Sequence, residues 1–193
     1  MRWFLAVCLA FSVSACASIP LKTMYNLWNF DPWSSDFREW RAGARLPMAG
    51  AAALKPRIKM SIATWRDGET QKTSDVFVLL PSSDPKDLAP LTTEMRAGYS
   101  LTAYRIDPKD YERLEKLRMR IVAAKTLSGP QIHGELKIEA GACGDQTALP
   151  KGPFPVSTYL LVERKDGYNP LIVDYDLTEA MKLAPPGEKR SAC

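Results

Sequence analysis

The chain has 193 residues and a formal net charge of +4 at neutral pH, from 26 basic and 22 acidic side chains. The two signs are interspersed, so the composition gives no case for a nucleic-acid partner. The length suits one domain with an additional segment.

The N-terminus has the form of a secretory signal. Arg2 precedes an apolar run over residues 3–13, and small residues follow it. This run is shorter than the roughly 20 apolar residues that a membrane-spanning helix requires. The pattern therefore predicts a signal peptide over residues 1–15.

The signal ends in a short motif with its own chemistry. Val13, Ser14, Ala15 and Cys16 resemble the lipobox of bacterial lipoproteins. The resemblance implies that Cys16 is linked to diacylglycerol and N-acylated after cleavage, so that membrane lipid is a partner. Two or more acyl chains suffice for stable anchoring. The alternative is an ordinary cleaved signal, because small-residue cleavage sites are also present.

The residues after the cysteine bear on which membrane holds the protein. In the enteric sorting rule, Asp directly after the lipidated cysteine retains a lipoprotein at the inner membrane, whereas here Ala17 and Ser18 follow. The resemblance therefore implies the periplasmic face of the outer membrane. The inner membrane is the alternative, since the rule varies among bacteria.

An aromatic-rich segment closes the predicted tether of residues 16–39. Six aromatic residues fall within residues 25–40 (YNLWNFDPWSSDFREW). They could form core, a partner surface or a membrane contact. We expect Trp40 in the core, and Trp28 and Trp33, beside a turn-forming Asp-Pro pair, exposed as candidate partner-binding residues.

Alternating patterns predict the first strands, over residues 40–46, 57–65 and 73–80. Asp67-Gly68 between the last two predicts a hairpin. A further strand is predicted over residues 100–106.

The period then changes to that of a helix. Asp107 is a candidate N-cap, and Pro108 suits the first helical position. Apolar residues at intervals of three or four predict an amphipathic helix over about 108–125. The other side of the helix is basic, with Lys109, Arg113, Lys116 and Arg120. This side could be a solvated face or a surface presented to a partner.

Strand patterns resume over residues 132–140, 156–164 and 170–177, with Asp166-Gly167 as a second hairpin signal. The whole pattern predicts a mainly β fold: an antiparallel immunoglobulin-like sandwich over residues 40–183 with one inserted helix. The tail, residues 184–193, follows it.

Two cysteines remain outside the signal and its lipidation site. Cys143 and Cys193 form an even pair, which in an oxidising compartment predicts a disulfide that would pin the tail. The alternatives are two free thiols or an intermolecular bridge through Cys193.

The sequence offers few candidates for catalysis. His133 is the single histidine, and no zinc-binding or phosphate-binding motif occurs. Asp174 and Asp176 alternate along a strand, which predicts one shared face and a spacing of about 7 Å. We expect a solvated histidine and a polar strand face, and we assign no catalytic residue, metal or cofactor.

Two longer stretches, SLTAYRIDPKDYERLEKLRMRIVAAK and PFPVSTYLLVERKDGYNPLIVDYDL, resemble segments of an uncharacterised group of proteobacterial envelope lipoproteins. The resemblance implies fold and location but no activity. The expected function is a non-enzymatic envelope adaptor or assembly factor. The alternatives are a glycan or small-ligand module that uses exposed aromatics of residues 25–40, and an enzyme that brings His133 or the Asp pair against a nucleophile.

Overall fold

The fold consists mainly of antiparallel strands and one long helix. The computed structural model describes residues 33, 35–51, 54–126, 132–144 and 152–179. Its strands are β1 Arg41–Pro47, β2 Leu54–Arg66, β3 Thr73–Ser82, β4 Tyr99–Ile106, β5 Ile132–Gly144, β6 Pro155–Leu161 and β7 Asn169–Asp176. Its helices are α1 Met48–Ala51, α2 Pro85–Leu88 and α3 Tyr111–Thr126. Short 3-10 segments occur at Phe37–Glu39, Ala89–Glu94, Pro108–Asp110 and Arg164–Asp166.

The described strands form one curled antiparallel sheet in the order β5-β2-β3-β4-β1-β6-β7. β3 joins its two halves, because residues 73–78 pair with β2 and residues 79–82 pair with β4. The prediction of a mainly β antiparallel fold is confirmed, and the predicted helix over about 108–125 corresponds to α3 and the 3-10 turn before it, whereas α1 and α2 were not predicted. The immunoglobulin-like sandwich is not confirmed.

The local signals for turns and helix starts act as predicted. Gly68 and Gly167 adopt positive φ angles of 83° and 67°, which glycine tolerates best, in the two predicted hairpins. The side chain of Asp107 accepts a hydrogen bond from the backbone N–H of Lys109 at 3.1 Å. A 3-10 turn that begins at Pro108 then leads into α3. Among the described residues, no helix has the length and apolar character to cross a membrane.

The main core lies between α3 and one face of the sheet. Leu114, Leu117 and Ile121 form the buried stripe of the helix. The strands contribute buried side chains at alternating positions, chiefly Ile58, Met60, Ile62, Phe77 and Leu79. This alternation fixes which face of β2 and β3 points toward the helix.

A second layer covers the opposite face of the half-sheet that β1, β4 and β6 form. We call residues 85–94 the covering segment; its Leu91 is fully buried against Ala103 and Tyr159. A Cβ at Gly43 would lie 2.9 Å from Cδ1 of Leu91, so this glycine permits the close approach. β1 is therefore buried on both faces.

A buried carboxylate fixes the covering segment to the sheet. Asp87 is completely buried, and its Oδ2 lies 2.7 Å from Nε of Arg41 and accepts a hydrogen bond from Ser82 Oγ at 2.7 Å. Nη2 of Arg164 donates to Oδ1 at 3.0 Å. Burial by itself raises the pKa of Asp87, but the hydrogen bonds from Ser82 and Arg164 and the nearby charge of Arg41 outweigh it and hold the pKa below its ordinary value.

Candidate functional site

The half-sheet of β5, β2 and β3 is covered on one face only in the part of the chain that the structure describes. α3 packs on the face that carries Ile58, Met60 and Ile62. We call the opposite side the open face; by strand alternation it carries Ser61, Ala63, Trp65, Ser74, Val76, Val78, Leu80, His133, Glu135, Lys137 and Glu139. Val76 is 45% exposed and Leu80 is 38% exposed.

An aromatic and charged cluster lies at one end of the open face. Trp65 on β2 is directly opposite His133 on β5. The imidazole stacks on the indole, with ring centroids 5.5 Å apart and an interplanar angle of 21°. Nζ of Lys72, directly before β3, lies 4.1 Å from the indole centroid, in the range of a cation–π contact. A residue of β5 and a residue of the β2–β3 connection thus contact one tryptophan.

Two carboxylates complete this arrangement, which we call the Trp65 cluster: Trp65, Asp67, Lys72, His133 and Glu135. Nε2 of His133 lies 2.6 Å from Oδ1 of Asp67, and Nζ of Lys72 donates to Oε2 of Glu135 at 2.7 Å. The hydrogen bond from Lys72 holds the pKa of Glu135 below its ordinary value. These side chains are solvent-exposed, so water screens both contacts and each contributes little to folding.

His133 has a partner that the sequence did not reveal. Its side chain is 41% exposed, as a solvated histidine would be, yet it pairs with Asp67. Asp67 has the pattern of a turn residue, and only the register of β2 against β5 brings it to the imidazole. A carboxylate that orients an imidazole is two-thirds of a nucleophilic triad. Within the described residues, no hydroxyl or thiol is hydrogen-bonded to His133.

Asp174 has a structural role on β7. It adopts a φ of +50°, unusual for a residue with a side chain, beside irregular pairing between β6 and β7. Its Oδ1 accepts from Nη2 of buried Arg45, and its Oδ2 accepts from Nη1 of Arg96, both at 2.8 Å. Burial raises the pKa of Asp174, but the hydrogen bonds from Arg96 and Arg45 outweigh it and leave the pKa lowered.

Asp176 has different partners. Its Oδ1 accepts from the backbone N–H groups of Phe154 and Thr178, each at 2.9 Å. These contacts, the Phe154 N–H first, lower the pKa of its carboxyl. Asp174 and Asp176 therefore each serve a separate structural contact, whereas two cooperating acids would face one substrate.

The aromatic segment belongs to the core as far as it is described. Trp40 is 2% exposed, as predicted. The prediction that Trp33 is exposed is wrong, because this side chain is 7% exposed and joins Phe37 and Trp40 in the main core. Gly134 on β5 makes the space that the indole of Trp33 fills. Trp33 is therefore no longer a candidate partner-binding residue.

Several predictions lie outside the described residues. They concern the signal over residues 1–15, the lipidation of Cys16, the exposure of Trp28 and the tail that ends in Cys193. Cys143 lies on β5 opposite Lys55, but its side chain is outside the described part, so the disulfide stays a prediction.

The described residues contain no group of three or more His, Cys, Asp or Glu side chains that could hold a metal ion. No family model, curated protein or solved structure matches this chain.

Proposed function

We propose that this chain is a lipid-anchored protein of the bacterial cell envelope that acts without catalysis, as an adaptor or assembly factor. Acylated Cys16 would hold it at the periplasmic face of the outer membrane. The open face would dock a partner protein of the envelope. The observation that carries the proposal is the unequal coverage of the sheet within the described residues.

The two halves of the sheet differ in what lies on them. The covering segment, fixed by the buried Asp87, shields the second face of β1, β4 and β6. No described element does the same for β5, β2 and β3. An uncovered sheet face with exposed apolar side chains is typical of an interaction surface.

The composition of the open face supports a protein partner. Val76 and Leu80 provide exposed apolar area on β3. Paired charges lie toward the edge strand β5, on the other side of β2, where Lys72 pairs with Glu135 and Lys137 with Glu139, the latter at 2.7 Å. An apolar centre with a rim of polar and charged groups is the usual anatomy of a protein interface.

Catalysis and glycan binding have less support. The His133–Asp67 pair lies on an open surface, whereas enzymes enclose their substrates in clefts. For glycans, the described aromatics of residues 25–40 are buried. The half-buried Trp65 already contacts an imidazole and an ammonium group, so less of its ring is available for a sugar to stack on.

Photo-crosslinking in intact cells tests the proposal. A photoreactive amino acid is placed at Val76 on the open face and, as a matched control, at Met119, an exposed apolar position on α3. We expect a discrete heavier protein band from position 76 alone, and its loss when Leu80→Glu is added. The same bands from both positions, or only lipid or glycan adducts at position 76, would overturn the adaptor proposal.

A further inference from the structure

A groove of about 510 Å³ lies between the C-terminal half of α3 and the adjoining ends of β2, β3 and β5. It is on the α3 side of the sheet, since the α3 side chains Leu117 and Ile121 line it together with Ile132 of β5. Its volume falls in the range of small-molecule pockets, roughly 300–1,000 Å³. The function proposed above does not use it.

The floor of the groove is apolar. Leu117 and Ile121 are buried core residues, so the floor is continuous with the main core, and Ala124 and Ile132 extend it outward. The small side chain of Ala124 leaves space between the helix and the strands. A hydrocarbon group placed here would lose contact with water on a surface already built to exclude it.

The rim carries guanidinium groups with spare hydrogen-bonding capacity. The side chain of Arg66 makes no hydrogen bond or ion pair with another described residue. Arg120 reaches Oδ2 of Asp75 only at 3.7 Å. The nearest acid in the lining, Glu69, is partly engaged, since its Oε2 accepts the backbone N–H of Arg66 at 2.9 Å. Guanidinium groups match the planar oxygens of a carboxylate or phosphate.

We propose that this groove binds an anionic single-chain amphiphile. Its hydrocarbon lies on Ala124 and Ile132, above the buried Leu117 and Ile121, and its acidic head group lies between Arg66 and Arg120. The shared chemistry is a negative oxygen group on an alkyl chain, which a fatty acid and a phosphate-headed lipid both provide. The site lies on the α3 side of the sheet, and it shares one lining residue, Trp65, with the open face.

The first experiment fills the groove. The full chain is placed in nanodiscs of phosphatidylcholine, and dansylated undecanoic acid is titrated with empty discs as background. Ala124→Trp should weaken probe binding by about ten-fold or more, because the indole would occupy the floor. Val122→Trp is the matched control, since Val122 is an exposed α3 position outside the lining. Equal binding by the two variants would overturn the proposal.

The second experiment removes the rim charge without altering the floor. Arg66→Gln combined with Arg120→Gln should weaken probe binding by about 100-fold, since each lost charged hydrogen bond lowers the affinity by about ten-fold. Lys116→Gln, an exposed cation on the same helix, should leave binding unchanged. Both arginines are solvent-exposed, so the double variant should fold even where a core variant does not. Unchanged affinity in it would contradict the role of the rim.

Competition identifies the head group. Dodecanoate and dodecyl phosphate should both displace the probe, and dodecyltrimethylammonium, of equal chain length and opposite charge, should not. Stronger displacement by dodecanoate would assign the site to fatty acids, and stronger displacement by dodecyl phosphate would assign it to phosphate-headed lipids. Equal displacement by the cation would show hydrophobic partition alone and would overturn the proposal.

Discussion

The indole of Trp33 lies directly on Gly134: a Cβ at that position would be 2.6 Å from Cζ2 of Trp33. The backbone φ angle of Gly134 is not positive, so its conformation does not require glycine. The close approach of the indole does require it, because any side chain would collide with the ring. Nη1 of Arg118 also donates to the carbonyl oxygen of Trp33 at 3.3 Å. The segment before β1 is thus fastened to both α3 and β5.

Gly134→Ala should destabilise the protein. The added methyl group would collide with a rigid ring in a packed core, which costs about 2 kcal/mol. Chemical denaturation of the full chain measures the change in the free energy of unfolding. Gly152→Ala is the control, because a Cβ there meets nothing within 4 Å. Equal effects at the two positions would mean that Trp33 is not held on β5.

Asp87→Asn should cost about 3 kcal/mol at neutral pH, since it removes one partner of a buried ion pair. The pKa of Asp87 is lowered in the folded state. Its contribution is therefore complete above the unfolded-state value of about 3.9 and is lost as the pH falls through the folded-state pKa. The difference in the free energy of unfolding between wild type and Asp87→Asn should therefore decrease at acid pH.

The pH series for Asp87→Asn is run by denaturant titration, with Asp166→Asn, at an exposed turn position, as the control. That control should show no comparable loss of stability at neutral pH. A constant gap between wild type and Asp87→Asn from neutral to acid pH would show that the Asp87 carboxylate is not what fixes the covering segment.

Two substitutions at Asp174 distinguish the effect of its backbone conformation on stability from the effect of losing its carboxylate. Asp174→Gly and Asp174→Ala both remove the acceptors for Arg45 and Arg96, but only glycine adopts the φ of +50° without cost. Asp174→Gly should therefore be more stable than Asp174→Ala by about 1 kcal/mol. Thermal and chemical unfolding provide the comparison, and the reverse order would mean that the backbone at this position is not constrained.

The elements that the sequence predicts well are the ones set by neighbours in the chain. Asp107 and Pro108 begin a helix through contacts within one turn, and Gly68 serves its own turn. The burial of Arg45 was not predictable in this way. It depends on the covering segment and on Asp174, which belong to other parts of the chain.

The candidate site was missed for the same reason. Trp65, Asp67 and His133 meet only through the pairing of β2 with β5. The exposure expected for Trp33 was wrong because a distant glycine determines it. The alternation of residues within one strand predicts which face of the sheet each side chain occupies. Which other residues pack against that face is determined by the tertiary fold.

Lipidation is predicted to depend on one side chain. Cys16→Ser should abolish the incorporation of labelled palmitate and release the protein from the membrane fraction, because the thioether can form only at sulfur. Cys143→Ser, which leaves the lipobox intact, is the control and should still incorporate label. A membrane-bound and labelled Cys16→Ser protein would exclude this anchor.

The position of β1 has a mechanical consequence. The chain passes from Trp33 and Trp40 directly into a strand that is hydrogen-bonded on one edge to β4 and on the other to β6. Tension applied from the N-terminal side is therefore transmitted to two ladders together, and the strand can be withdrawn only if both yield. Load on the N-terminal side therefore passes through the contacts of Trp33 with α3 and β5 and then to an interior strand, while the edge strand β7 carries none of it directly.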